Sequence, residues 1–184
     1  MIVIFYGPGK GKSSAAAGIA LRAWGQGKRV LYLAFLKSRN ISGEFKAMQT
    51  INSAELVLAT FGRECPYPEQ ECCPGQRECL VLDNNITTDD VAAAQGGINY
   101  ALQQVKSGQW DLVILDELLN GYVLYPDLQQ SIICLLEEVG DVDLVLTGRP
   151  GPEEILGRGE LVTELRKISH PFDTGISARK GIDY

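Results

Sequence analysis

The sequence predicts an α/β fold in which a mainly parallel central sheet is flanked by helices. Short apolar runs alternate with helix-length segments from residue 2 onward, which is typical of strands joined by right-handed crossover helices. The run Val30–Leu36 is apolar throughout, as expected of a parallel strand covered on both faces. A glycine-rich turn directly behind the first apolar run marks the sheet edge at which a ligand is expected.

The individual elements follow from these runs and from the residues that interrupt them. The predicted strands are Ile2–Tyr6, Val30–Leu36, Glu55–Thr60, Leu112–Leu115, Val142–Leu146 and Leu161–Arg166. The predicted helices are Lys12–Trp24, Glu44–Thr50, Asp90–Lys106, a helix that opens at Pro126, and Pro152–Leu156. Gly25 and Gly27 are expected to end the first helix, whose small residues Ala15–Gly18 let it lie close to the sheet. Thr88–Asp90 is expected to cap the third helix.

The length of 184 residues fits one domain, with an irregular excursion at about residues 61–87 that is expected to cover the ligand edge. The excursion contains four of the five cysteines: Cys65, Cys72, Cys73 and Cys79. Their spacing lacks the paired C-x-x-C of a zinc ribbon, and no secretory signal accompanies them. Reduced thiols are therefore favoured, with a metal site as the alternative.

The charge distribution favours a small anionic ligand over a nucleic acid. The net charge is −6, yet residues 1–43 contain seven Lys or Arg and no acidic residue. No uncharged apolar run is as long as a membrane span, and the N-terminus lacks a signal-peptide pattern. We expect a cytoplasmic protein with no membrane segment.

The segment Gly7–Ser14 predicts a phosphate-binding loop between a strand and a helix N-terminus. Its glycines let backbone N–H groups turn toward a polyanion, Lys12 would place an ammonium beside the phosphates, and Ser13 is a candidate Mg²⁺ ligand. The usual spacing G-x-x-x-x-G-K-[ST] would place its first glycine at Tyr6, so a loop that starts at Gly7 is one residue short. A turn without a ligand is the alternative.

Asp116 and Glu117 follow a buried apolar run, which predicts an acidic pair at the carboxyl end of a strand. Beside a phosphate loop, one carboxylate would bind Mg²⁺ and the other would orient a water or hydroxyl group. A solvated pair is the alternative, and the sequence leaves open which carboxylate takes the metal. Arg149, which follows a later strand, either contacts a phosphate or the other substrate or lies in a surface turn.

The whole chain resembles the P-loop corrinoid adenosyltransferases. The matching segments are the shortened loop, Ala20–Ala23, Phe35–Lys37, Gly43–Glu44, Leu115–Leu118, Thr147–Arg149, Glu164–Arg166, His170–Asp173 and Ala178–Ile182. The resemblance implies a single-domain P-loop NTPase-like (RecA-like) fold and transfer of the 5′-deoxyadenosyl group of ATP to cob(I) corrinoid, with release of triphosphate. It implies Mg²⁺ as cofactor, a homodimer, and a reductant protein as a partner.

The resemblance also implies the site residues. Lys12, Ser13 and Glu117 would be catalytic, and Ser13, Asp116 and Glu117 would hold Mg²⁺. ATP would be bound by Gly7, Pro8, Gly9, Lys10, Gly11, Lys12, Ser13, Ser14, Arg22 and Arg149. The corrinoid would contact Phe61, Tyr67 and Glu44, although no Trp follows Phe61 as it does in better-known members of the family. Cob(I) carries no proton to remove, so His170, the only histidine, is expected to be a packing or turn residue beside Pro171.

Two other functions remain open at this point. The first is a P-loop nucleoside kinase or ATPase. A nucleoside kinase also combines a phosphate loop with cysteines, but the short loop and the absence of C-x-x-C pairs disfavour it, whereas an ordinary ATPase with one loop residue deleted stays open. A non-catalytic, nucleotide-dependent corrinoid-binding module is disfavoured by the presence of Lys12, Ser13 and the acidic pair.

Overall fold

A computed structural model describes residues 1–37, 42–64, 81–176 and 179–182, the side chain of Phe172 excepted. The strands are β1 (Ile2–Tyr6), β2 (Val30–Phe35), β3 (Leu56–Phe61), β4 (Leu112–Asp116), β5 (Asp143–Gly148) and β6 (Leu161–Glu164). Within these ranges the strands form one all-parallel sheet in the order β3-β2-β4-β5-β1-β6. The predicted α/β fold is confirmed.

Helices cover both faces of the sheet. They are α1 (Lys12–Gly25), α2 (Gly43–Ile51), α3 (Thr88–Lys106), α4 (Leu118–Leu124), α5 (Gln129–Glu137) and α6 (Glu153–Leu156), with 3-10 turns at Pro126–Leu128 and Pro171–Thr174. No helix in the described ranges combines the length and the apolar character needed to cross a bilayer.

Every residue of β2 is buried, because its alternate side chains enter two different cores. Leu31 and Leu33 pack in the core beneath α3, α4 and α5. Tyr32 and Ala34 pack on the opposite face, in the core beneath α1 and α2. This double burial explains why the β2 sequence shows no polar alternation.

Helix α1 lies close to the sheet through three small side chains. Ala16, Ala17 and Ala20 are buried against the sheet, whereas Gly18 is exposed and a Cβ added there would meet nothing within 4 Å. The prediction that small residues let the helix lie close to the sheet is therefore confirmed for Ala16 and Ala17, whereas Gly18 faces away from the sheet. The helix ends at Gly25 as expected, and Gly27 adopts a left-handed conformation with a φ of +78°.

Three local features differ from the sequence-based expectation. Helix α4 begins directly after Glu117, where no element was predicted, because its burial outweighs the low helix propensity of Asn120 and Gly121. The helix expected to open at Pro126 is a 3-10 turn that leads into α5. The cap of α3 is Thr87, whose backbone N–H donates to the Asp90 carboxylate at 2.8 Å in a reciprocal capping box.

A partly buried ion pair joins the start of the excursion to helix α3, which follows it. Arg63, just after β3, donates to Asp90 at 2.5 Å and to the carbonyl of Asn85 at 2.8 Å. Burial opposes the charge on Asp90, but hydrogen bonds from Arg63 and Thr87 outweigh it and lower the pKa of this carboxyl group. The four clustered cysteines and Tyr67 lie outside the described residues, while Cys134 is an exposed free thiol.

The strand order brings the predicted site segments together. Strand β5 lies between β4 and β1, and the register pairs Tyr6 with Gly148 and Leu115 with Leu146. The glycine loop, the acidic pair and Thr147–Arg149 therefore leave neighbouring strands at the same carboxyl edge.

Candidate active site

The glycine loop is packed against the chain segment that follows β6. The N–H of Gly9 donates to the carbonyl of Leu165 at 2.7 Å, and the N–H of Gly7 donates to the carbonyl of Arg149 at 3.1 Å. A Cβ on Gly9 would lie 2.7 Å from the carbonyl oxygen of Leu165 and 2.9 Å from the carbonyl carbon of Arg166. Gly7 and Gly9 are therefore required by close backbone approach. Their N–H groups, which were expected from the sequence to turn toward a polyanion, donate to protein carbonyls instead.

Lys12 is buried inside this loop, with 7% of its surface exposed. Its ammonium donates to the carbonyl of Gly7 at 2.8 Å and to that of Gly9 at 2.5 Å. Burial lowers the pKa of Lys12, and the positive charges of Arg149 and Lys37 act in the same direction, against the opposing effect of Glu117. The structure thus places the loop lysine within the electrostatic field of the acidic pair.

The acidic centre is organised around Asp116, which has no exposed surface. One of its carboxylate oxygens accepts a hydrogen bond from the Thr147 hydroxyl at 2.6 Å. The other accepts from the Lys37 ammonium at 2.7 Å. The same ammonium donates to the Ser13 hydroxyl at 2.8 Å and lies 3.5 Å from a carboxylate oxygen of Glu117. The three predicted metal ligands therefore surround a single positive charge.

Lys37 is a site residue that the sequence interpretation missed. It follows β2 on the carboxyl edge, a position that could have identified it. Burial opposes its charge, but the attraction of Asp116 and Glu117 is larger and raises the pKa of the Lys37 ammonium above its ordinary value. The ammonium is therefore firmly charged in this position.

Glu117 is held by contacts that the sequence interpretation also missed. Its backbone has a φ of 64°, which is uncommon for a residue other than glycine, and its N–H donates to the Thr147 hydroxyl at 2.9 Å. The Asn120 side-chain NH₂ donates to the Glu117 carboxylate, and the Asn120 side-chain oxygen accepts a hydrogen bond from the backbone N–H of Arg149 at 2.7 Å. Thr147 and Asn120 therefore orient the two carboxylates.

The other predicted residues are placed unequally with respect to this centre. Arg149 is exposed beside the loop, and Glu44 accepts a hydrogen bond from Ser14 at 3.2 Å. Arg22 is exposed ten residues along α1, about 15 Å from Lys12 by helix geometry, so the structure does not bring it to the loop. Phe61 is half-buried, with ring centroids 5.9 Å from Phe35 and 5.8 Å from Tyr100.

The chemistry of the oxygen set around Lys37 fits Mg²⁺. Ser13, Asp116 and Glu117 offer a hydroxyl and two carboxylates, which are the hard oxygen ligands that this ion prefers. In the part of the chain that the structure describes, no group of three or more His, Cys, Asp or Glu side chains is arranged to hold a metal. Two carboxylates are nevertheless sufficient for Mg²⁺ in a nucleotide site, because phosphates and waters complete its coordination.

Comparison with known proteins places this geometry in context. A family model described as ATP:corrinoid adenosyltransferase BtuR/CobO/CobP matches residues 1–184. The corrinoid adenosyltransferase of Escherichia coli (strain K12) is 31% identical over 186 residues, an alignment that covers 100% of this chain and 85% of that protein. Corrinoid adenosyltransferase CobA of Salmonella typhimurium (strain LT2) is 32% identical with the same coverage.

A solved structure that aligns with this chain is the flagellar accessory protein FlaH from Methanocaldococcus jannaschii. Its TM-score is 0.47 at 16% identity, and the alignment covers 89% of this chain and 69% of that one.

Proposed function

Because this chain belongs to the ATP:corrinoid adenosyltransferase family, we propose that it transfers the 5′-deoxyadenosyl group of ATP to the cobalt of a cob(I) corrinoid and releases triphosphate. The observation that carries the proposal is the meeting of the glycine loop with Asp116 and Glu117 at one sheet edge. Ser13 on the loop and both carboxylates contact the ammonium of Lys37. Their oxygens therefore lie close enough together to hold one metal ion bound to a polyphosphate.

In the proposed reaction, the electron pair of cob(I) forms a bond to C5′ of ATP as the bond between C5′ and the triphosphate oxygen breaks. The bonding electrons leave with triphosphate, and the cobalt changes formally from the +1 to the +3 state. No proton leaves the nucleophile, so no general base is needed. The protein then contributes orientation of C5′ toward cobalt and stabilisation of the negative charge on the leaving group.

We assign that stabilisation to the loop. The ammonium of Lys12 lies inside the curve of Gly7–Ser14, where it would face the leaving triphosphate. The loop is one residue shorter than the usual pattern. In an ordinary ATPase the loop presents the γ-phosphorus to a nucleophile, whereas a shortened loop is compatible with holding the triphosphate as a leaving group. The proposed ATP contacts comprise this loop, Arg149 and, on family resemblance alone, Arg22.

We propose Mg²⁺ as the cofactor of the site, held by Ser13, Asp116 and Glu117. When bound, it would supply positive charge next to the triphosphate. Thr147 holds Asp116 by a hydrogen bond of 2.6 Å, and Asn120 bonds the Glu117 carboxylate. These two neighbours would keep the carboxylates directed toward the ion.

Anaerobic incubation with ATP, Mg²⁺ and chemically reduced corrinoid tests the function. We expect a light-sensitive adenosylated product, measured by absorbance, and intact triphosphate in the same amount. Formation of ADP without that product would instead indicate a kinase or ATPase. Turnover beyond one equivalent per chain would exclude a purely corrinoid-binding module.

We propose that the corrinoid lies over the segment after β3, near Phe61 and Glu44, with Tyr67 as a third contact. Replacing Phe61 with Ala is expected to lower corrinoid adenosylation by about tenfold or more, since loss of an aromatic contact costs on the order of 1.4 kcal/mol or more. The affinity for ATP, measured by calorimetry, should change less than about twofold.

Tyr100→Ala provides the control, because Tyr100 packs on Phe61 from helix α3. Equal losses of ATP affinity and adenosylation in Phe61→Ala, or an equal loss of adenosylation in Tyr100→Ala, would show that Phe61 acts only through core packing.

The family also leads us to propose a cytoplasmic homodimer on which the corrinoid is reduced, with a reductant protein as a partner. We further propose that residues 1–184 form one nucleotide-binding domain whose excursion at about residues 61–87 covers the corrinoid. Light scattering coupled to size exclusion tests the dimer, and a monomer mass at micromolar concentration would exclude it.

A further inference from the structure

Lys37 lies at the centre of the oxygen cluster that the proposed function assigns to Mg²⁺. Its ammonium is 2.8 Å from the Ser13 hydroxyl, 2.7 Å from Asp116 and 3.5 Å from Glu117. A carboxylate oxygen that accepts from an ammonium at this distance cannot at the same time bind a metal ion in the same direction. The Lys37 ammonium and a metal ion would therefore compete for the same position between Ser13, Asp116 and Glu117.

The backbone of Lys37 is held in position by strand β3. Leu36 has a φ of 60°, and its N–H donates to the carbonyl of Phe61 at 3.1 Å. A Cβ on Gly62 would lie only 2.3 Å from the Lys37 nitrogen, so the two backbones are in close contact. A left-handed residue that is not glycine persists only when its surroundings hold it. The flexible stem of Lys37 thus starts from a rigid point.

The charge of Asp116 explains why a lysine is needed there. Asp116 is fully buried, and an ionised carboxylate in that environment requires a positive partner. Among the described residues, Lys37 is the only side chain that forms an ion pair with Asp116 within 4.0 Å. Lys12 acts on this carboxylate only at longer range, because its ammonium bonds the loop carbonyls.

We propose that Lys37 is the resident counter-cation of the acidic centre, and that Mg²⁺ binds by displacing the Lys37 ammonium from Ser13, Asp116 and Glu117. The inference rests on the metal site of the proposed function. It predicts a low affinity for free Mg²⁺, because the ion must replace contacts that already exist. Uptake of the ion is then coupled to ATP, whose phosphates compensate the positive charge that is released.

Replacing Lys37 with Met tests the exchange, because Met keeps much of the apolar stem and removes the charge. Without nucleotide, Lys37→Met is expected to bind Mg²⁺ at least about tenfold more tightly than the wild type in calorimetry. Without divalent ions its Tm should fall by about 5 °C or more, since Asp116 loses its buried partner, and Mg²⁺ should restore much of that loss.

Lys106→Met is the matched control, because Lys106 forms an exposed pair with Glu138 at 3.2 Å. Its Mg²⁺ affinity should equal that of the wild type. An unchanged Mg²⁺ affinity in Lys37→Met would overturn the inference, as would weaker binding, which would make Lys37 a supporting residue of the metal site.

A second measurement covers the case in which Lys37→Met does not fold. Lysine side-chain ¹⁵N NMR of the wild-type chain should show a shift of the Lys37 ammonium signal, assigned by its loss in Lys37→Arg, on addition of Mg²⁺ alone or with ATP. The Lys106 signal should stay in place. No Lys37 shift in either condition would overturn the inference.

These measurements separate the two proposals. A chain that adenosylates corrinoid while its Lys37 signal ignores Mg²⁺ would refute the exchange alone. A chain that shows the exchange but forms no adenosylated corrinoid would refute the proposed function alone.

Discussion

Replacing Lys12 with Met is expected to lower the rate of corrinoid adenosylation by about 10²–10³-fold. Lys12 is the buried lysine of the loop, and its ammonium already lies between the carbonyls of Gly7 and Gly9. The leaving triphosphate gains negative charge as the bond to C5′ breaks, so a fixed ammonium stabilises the transition state more than the ground state. Met preserves the stem that packs in the loop and removes only this charge.

Single-turnover kinetics with preformed cob(I) corrinoid measures this effect without a contribution from the reduction step. Lys106→Met, a change at an exposed lysine in the last turn of α3, should keep the wild-type rate. Thermal unfolding of both variants shows whether the loop remains folded. A folded Lys12→Met protein with a rate within about threefold of the wild type would contradict the assignment of triphosphate to the loop.

Replacing Gly9 with Ala is expected to lower the free energy of unfolding by about 2–3 kcal/mol and to abolish measurable ATP binding. The new Cβ would lie 2.7 Å from the Leu165 carbonyl oxygen and 2.8 Å from the Leu165 carbonyl carbon. Both are backbone atoms, so no side chain can rotate to relieve the contact. The loop and the segment after β6 must separate, which also breaks the 2.7 Å hydrogen bond from Gly9 to Leu165.

Gly18→Ala, nine residues further along the same loop and helix, is the matched control. Gly18 is exposed in the interior of α1 and a Cβ there meets nothing within 4 Å, so Ala should raise stability by about 0.5–1 kcal/mol. Urea unfolding measures both changes, and calorimetry measures ATP binding. If Gly9→Ala kept the stability and the ATP affinity of the wild type, the backbone at Leu165 would have moved to accommodate the Cβ without loss of free energy. The contact with Leu165 would then not determine the conformation of the loop.

Much of the fold could be predicted because each strand carries its own signal. The continuous apolar run of β2 reflects burial on both faces, and the glycines at 25 and 27 mark the end of α1. Helix α4 was not predicted because its seven residues include Asn120 and Gly121. Packing of Leu118, Leu119 and Tyr122 against the core stabilises it.

The candidate site divides in the same way. Lys12, Ser13, Asp116 and Glu117 were predicted because the glycine loop and the acidic pair are local patterns with a known chemical meaning, each placed at the carboxyl end of an apolar run. Lys37 also follows a strand, which marks it as a residue of this edge, but its contact with Asp116, 79 residues away along the chain, could not be predicted from a local pattern. Asn120 was missed for a similar reason, since its contact with Arg149 spans 29 residues.

By itself, the sequence determined the α/β class, the glycine loop with its missing residue, and the acidic pair, because these depend on local periodicity and residue chemistry. Only the tertiary structure decided that Gly7 and Gly9 face the backbone at Leu165, and that Lys37 lies among the oxygens proposed for Mg²⁺. Both features arise where separate strands meet at one edge of the sheet. Such contacts depend on strand order and register, which local sequence patterns do not encode.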